Sequence, residues 1–199
     1  MPTKAKTFSE ALEIGAEIYH ALKKRLEHEL GAQSTNVGDE GGFAPQMNCA
    51  LDPFDAIMDT ALSLKYHDKI KLAIDAAATE FWNGKHYKFE GKDLNATELL
   101  QFYADLCSQY PLQSIEDPFH EEDYESFAEL TKKTKNTLIC GDDIFTTNNE
   151  RLNHGVKQKA ANAIIIKVNQ IGTLTDAAET IQTAQKNAYT PIISHRSGD

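Results

Sequence analysis

The chain has 199 residues, 41% hydrophobic and 25% charged, the make-up of a globular protein with room for one large domain or two small ones. Its 20 Lys and Arg stand against 30 Asp and Glu, a net charge of −10 that repels nucleic-acid backbones and anionic membrane surfaces. No stretch approaches the roughly 18–20 apolar residues of a membrane span, and MPTKAKTF lacks an apolar signal core, so a cytoplasmic location is expected.

From Thr7 to about Leu30, Phe8, Ala11, Leu12, Gly15, Ile18, Tyr19, Leu22 and Leu26 recur at three- and four-residue steps, which predicts an amphipathic helix with Thr7 and Glu10 as its capping pair. The glycine-rich loop NVGDEGGFAP follows, and then DPFDAIMDTALSL reads as a second helix with Pro53 in its first turn. After this the pattern changes to short apolar runs: IKLAID (70–75), LQSIED (112–117), TLICGDD (137–143), NAIIIKV (162–168) and TPIISHR (190–196). Helices are predicted between them at 96–109 (capped by Asn95 and Glu98), 123–133, 148–160 and 174–187 (capped by Thr173 and Asp176). Continuous apolar runs suit parallel strands covered on both faces, so this part is a chain of βα units. Cys49, Cys107 and Cys140 are odd in number and form no CxxC, which predicts reduced, mostly buried thiols and neither a disulfide framework nor a zinc site.

Each apolar run ends in an ionisable residue: Asp75, Glu116, Asp142, Lys167 and His195, at successive intervals of 41, 26, 25 and 28 residues. One βαβ unit takes about 30 residues. Neighbouring parallel strands lie about 4.8 Å apart, so residues at equivalent strand ends become close neighbours. These five side chains are therefore expected on one rim, at the carboxyl ends of the strands, where α/β barrels and open sheets place their active sites. Singly, each has a plainer reading: Asp75 as a turn cap, Glu116-Asp117-Pro118 and Asp142-Asp143 as acidic loops, Lys167 as a stem packed on the sheet with its head on a neighbouring acid. Three adjacent carboxylates in a partly dry rim repel one another and call for a cation. An all-oxygen site fits Mg²⁺, with Mn²⁺ as the alternative. Burial and a nearby dication both disfavour an ammonium, so Lys167 is expected to have a lowered pKa and to be available as a base toward carbon. In SHRSG, Arg196 offers a planar fork suited to phosphate, with the Ser197 hydroxyl beside it; GDEGG places Glu40 in a flexible loop.

VGDEGGFAP, AIDAAATEF, SIEDPF, GDDIFTTN, IIIKVNQIGTLT and ISHRSG, in this order, resemble the barrel domain of the enolase family, the glycolytic 2-phosphoglycerate dehydratases. The resemblance runs over essentially the whole chain. It implies an α/β fold, a partial (β/α)₈ barrel of about five of eight strands spanning residues 1–199. The activity it implies is the reversible, Mg²⁺-dependent interconversion of 2-phosphoglycerate and phosphoenolpyruvate. By the same resemblance Asp75, Glu116 and Asp142 correspond to the ligands of the first of two Mg²⁺ ions, Glu116 also lying against substrate. Lys167 corresponds to the base at C2, the enolase superfamily using a Lys or His base with one or two Mg²⁺. Glu40 corresponds to a glutamate that assists departure of the C3 hydroxyl, His195 to a histidine near that hydroxyl, and Arg196 and Ser197 to the residues that hold the phosphate.

The family pattern is longer at both ends. An amino-terminal αβ domain, two barrel strands, and a last strand with a second lysine lie outside this sequence, and Met1 is expected to be an internal methionine of a longer chain. The activity is accordingly expected of the complete protein, a homodimer or larger, and not of the segment by itself, whose open sheet edges predict association. Two other readings remain: another superfamily dehydratase or racemase, which IIIKVNQIG and SHRSG disfavour, and a non-catalytic or surface-displayed binding copy.

Overall fold

The structure is a computed structural model that describes residues 1–38 and 40–196. Contacts gather the chain into two compact units, Met1–Leu72 and Ala73–Asp199.

In the first unit α1 (Phe8–Leu30) begins where its cap predicts. The Thr7 side chain accepts the Glu10 amide at 3.1 Å, while the Glu10 carboxylate reaches back to the Lys6 amide, one residue earlier than a reciprocal capping box would have it. α2 (Asp52–Ser63) carries Pro53 in its first turn, where a missing N–H removes no helical bond. Arg25 joins the helices by bonding Asp59 at 2.9 Å. The buried line of α1 runs through Ile14 and Leu26, whereas Phe8 and Leu12, expected on the core stripe, are 83% and 62% exposed. Length is the reason: α2 has 12 residues against 23 in α1, and its bond to Arg25 seats it toward the far end of α1. The glycine-rich loop closes as a tight turn, Val37 bridging Phe43 and Gly38 bonding Gly42 at 2.9 Å, with Glu40 exposed in the turn.

The second unit runs β1 (Leu72–Asp75), β2 (Tyr87–Phe89), β3 (Lys92–Leu94), α3 (Ala96–Gln109), β4 (Leu112–Glu116), α4 (Tyr124–Lys133), β5 (Leu138–Gly141), α5 (Asn149–Gln158), β6 (Ala163–Ile166), α6 (Val168–Ile171), α7 (Leu174–Lys186) and β7 (Thr190–Ile193). The five predicted runs form one sheet in the order β1-β4-β5-β6-β7, and the pairs from β4 to β7 are parallel. The order follows the chain, as in the wall of a barrel. β6 is Ala-Ile-Ile-Ile with all four residues buried, the double covering that a continuous apolar run implies. β1 and β7, at the edges, keep exposed positions, including Ile193 at 68%.

The core between sheet and helices is aromatic. Tyr87, Tyr103, Phe119 and Phe127 are fully buried, and Phe119 meets the other three edge to face at centroid distances of 6.2, 5.8 and 5.8 Å. Such pairs add about 0.5–1.5 kcal/mol each beyond the area they bury. Phe145, also fully buried, is wedged between two glycines: a Cβ on Gly141 or on Gly155 would stand 2.5 or 2.4 Å from its ring. Of the thiols, Cys140 is buried and Cys107 half-buried, but Cys49 is exposed, contrary to expectation, because it lies in the turn before α2 and bonds Asp52. The antiparallel β2–β3 pair is absent from the expected elements; its strands are too short for periodicity to register, and its turn is Glu90-Gly91 with φ of 48° and 73°, the backbone of a type I′ hairpin. Among the described residues no helix is long and apolar enough to cross a membrane.

Candidate active site

The sheet brings its acids together at the carboxyl ends of β1, β4 and β5. Asp75 and Glu116 are the last residues of β1 and β4, and Asp142 follows the last residue of β5. The register aligns Glu116 with Cys140, and the Asp117 amide donates to the Cys140 carbonyl at 3.0 Å, so the β4 and β5 termini sit side by side. Five carboxylates result, in two overlapping groups whose oxygens approach within 4.8 Å: Asp75, Glu116 and Asp117, and then Asp117, Asp142 and Asp143. The three expected ligands are thus divided between the groups, and Asp117 joins them.

Lys167 lies one residue past β6, half-buried, and its ammonium bonds Asp142 Oδ2. Its backbone N–H donates to Thr147 Oγ1 at 2.9 Å; Thr147 is fully buried at φ 55°, and its carbonyl accepts the Thr180 hydroxyl at 3.0 Å. The other Asp142 oxygen, Oδ1, is buried with no hydrogen-bond partner among the described residues. A buried carboxylate oxygen left bare costs about 1–3 kcal/mol or more, and a cation is the partner its chemistry lacks. Together with the two acid groups this orphaned oxygen makes the residues a fit for a divalent cation.

The electrostatics record the crowding. Burial first, then the charges of Asp75 and Asp142, push the Glu116 carboxyl up to about 7, with Lys167 opposing. Burial pushes Asp117 up to about 8 against the two amide donors that favour its charged form. Asp143 is raised too, by burial and by Asp142. Lys167 departs from expectation: burial lowers it, but the hydrogen bond to Asp142 and the charges of Asp142 and Glu116 outweigh burial and hold it above the ordinary lysine value. The head pairs with an acid, as the plainer reading of this lysine has it.

His195 and Arg196 follow β7 as exposed residues, and Ser197 is outside the described residues. Glu40 is in the first unit, at the turn between Val37 and Phe43, clamped from below where the Tyr19 hydroxyl donates to the Gly41 carbonyl at 3.1 Å. Asp117, Asp143 and Thr147 are additions to the expected site residues. The doublets Glu116-Asp117 and Asp142-Asp143 are the one signal that points to the first two; nothing in the sequence marks Thr147.

Parallel strands in chain order, helices on the connections and ionisable groups at the carboxyl rim define a sector of a (β/α)₈ barrel. A family model described as the C-terminal TIM barrel domain of enolase matches residues 1–199. Enolase from Methanocaldococcus jannaschii is 47% identical over 199 residues, covering all of this chain and 47% of that protein. Enolase from Methanosarcina barkeri is 49% identical over the whole chain and 46% of its own length, and that of Methanopyrus kandleri 46% identical over the whole chain and 48% of its length. The chain belongs to the enolase family, and it spans about half the length of the curated relatives it matches.

Proposed function

We propose that this chain supplies the acidic, lysine-bearing sector of an enolase active site, and that the complete protein reversibly dehydrates 2-phosphoglycerate to phosphoenolpyruvate. One observation carries the reading: Asp142 is 8% exposed, offers one oxygen to Lys167 and holds the other bare in a group with Asp117 and Asp143, which Asp117 joins to Asp75 and Glu116. Asp75, Glu116 and Asp142 would hold Mg²⁺. When bound, the ion supplies positive charge against the repulsion of the acids and against the charge that develops on the substrate carboxylate.

The residues divide the rest of the work. Lys167 Nζ takes the proton from C2; to do so it must first leave Asp142 and release its own proton to solvent, because the ion pair keeps it charged. Asp142 is the acceptor that holds the Lys167 ammonium, and as a ligand it would no longer be free to do so. The Thr147 hydroxyl fixes the Lys167 backbone while its side chain moves. Glu40 and His195 assist departure of the C3 hydroxyl, and Arg196 with Ser197 holds the phosphate through charge-assisted bonds. By this reading the segment alone has negligible activity, since preorganised donors from the rest of the barrel are needed.

The test is exchange of the C2 proton of 2-phosphoglycerate with solvent, followed in the complete protein. Lys167→Ala is expected to nearly abolish exchange while leaving Mg²⁺ affinity largely intact, and Glu116→Gln to weaken Mg²⁺ binding. Exchange at the unmodified rate in Lys167→Ala would remove the base assignment. Calorimetry giving Glu116→Gln full Mg²⁺ affinity would remove the ligand assignment.

A further inference from the structure

Asp117 is expected from the sequence in an acidic loop, and the family resemblance gives it no part. It is 3% exposed, the most enclosed carboxylate of the rim, and its backbone is in the left-handed region at φ 40°. Few residues other than glycine, asparagine and aspartate adopt that conformation unless their surroundings enforce it. Here they do so from two sides, the Asp117 N–H donating to the Cys140 carbonyl and the Asp117 carbonyl accepting the Ala78 amide, both at 3.0 Å.

So anchored, the Asp117 side chain reaches across to the segment after β5. Oδ1 accepts the Asp142 N–H at 3.1 Å and Oδ2 the Asp143 N–H at 2.8 Å, one oxygen for each of two successive amides. The Asp142 carbonyl is held as well, accepting the Phe145 amide at 3.1 Å and the Thr146 amide at 2.6 Å. Asp142 therefore has its backbone fixed on both sides, and its carboxylate retains only side-chain rotation, within which one oxygen bonds Lys167 and the other stays bare. A side chain that spends one oxygen on each of two successive backbone amides is a poor first choice as a metal ligand. Metal-ligating carboxylates depend on such outer partners to aim them.

From this geometry we infer that Asp117 is a positioning residue: its carboxylate holds the Asp142-Asp143 backbone so that the Asp142 carboxylate is presented to the divalent cation. The inference rests on Asp142 being a ligand, as proposed above. It assigns different work to the two members of the Glu116-Asp117 doublet, Glu116 facing the cation and Asp117 aiming its neighbour.

Placement and charge are separated by two variants of the complete protein, titrated with MgCl₂ by calorimetry in 0.5 M KCl. Asp117→Asn keeps the shape but replaces one acceptor by a donor facing an N–H. Asp117→Glu keeps the charge but displaces the carboxylate by one methylene. If Asp117 acts by placement, both variants bind Mg²⁺ at least tenfold more weakly than the unsubstituted protein. If only the Asn variant is weakened, the residue contributes charge alone and the inference is overturned, as it is if both bind within twofold of the unsubstituted protein. Should the unsubstituted protein bind no Mg²⁺, the metal reading itself falls and takes this inference with it. Amide hydrogen exchange on the unsubstituted, chelator-treated protein needs no variant to fold: protected Asp142 and Asp143 amides are expected, and exchange at the rate of an unstructured peptide overturns the clamp.

Discussion

Lys167 follows three buried isoleucines because β6 stops at Ile166 and the chain turns out of the sheet at that point, carrying an ammonium to the buried Asp142 carboxylate. The isoleucines and the lysine are legible from the residue types, but the sign of the lysine's shift is not. Burial and attraction oppose each other, and which wins depends on the distance to Asp142, which no local pattern encodes. The acids give a pH prediction. Glu116 and Asp117 rise to about 7 and about 8 on folding, from 4.5 and 3.8. Between those limits the folded chain binds protons that the unfolded chain has released, so stability is greatest at the acidic end and falls as pH rises toward 8. A melting temperature measured in chelator is expected to drop from pH 5.5 to pH 8 and to recover at pH 8 on addition of Mg²⁺, which favours the ionised acids. A melting temperature that rises over this range without metal would contradict the burial of these groups. Gly155→Ala meets the Phe145 ring at 2.4 Å. Overpacking of this kind costs about 1–3 kcal/mol, to be read as a lower urea midpoint at unchanged slope.

At the scale of elements, the helices are legible where their start signals are local. Asn95 and Glu98 form a complete capping box, side chain to backbone in both directions, and α3 spans the predicted 96–109. Thr173 accepts the Asp176 amide, and α7 begins at the next residue. Asn95→Ala is expected to cost about 1 kcal/mol, measured by urea unfolding, because the Glu98 amide is then without its side-chain acceptor. The strands are legible from apolar runs and their polar ends. The hairpin and the single helical turn α6 escape such a reading, since three- and four-residue elements are held by their turns and not by any periodicity. In α1 the periodicity is present but misleads about burial, because a stripe is buried only where another element covers it, and α2 leaves Phe8 and Leu12 bare.

For the molecule as a whole, the sheet is open among the described residues, with β1 at one edge and β7 at the other. Pro191 blunts the β7 edge. The amides of Thr190 and Ser194 point toward β6, so position 191 faces outward, where proline removes a donor. Ile193 stands next along that edge, 68% exposed. The chain is expected to self-associate with concentration in sedimentation velocity, and Ile193→Lys to weaken this, since a charge on an exposed edge disfavours pairing. A monomer at all concentrations would show that the edge is protected by other means.

What the sequence determined by itself is the set of elements and the rim they share: helix caps, apolar runs and the spacing of Asp75, Glu116, Asp142 and Lys167 follow from chemistry within a few residues of chain. What only the tertiary structure decided is the wiring of that rim: the ion pair between Lys167 and Asp142, the bare oxygen on the latter, and the hold of Asp117 on the strand beside its own. The reason is one of distance. Propensity and capping act over three or four positions, whereas charge, burial and hydrogen-bond direction at a strand end depend on neighbours about 25 residues away, brought within reach only when parallel strands pair.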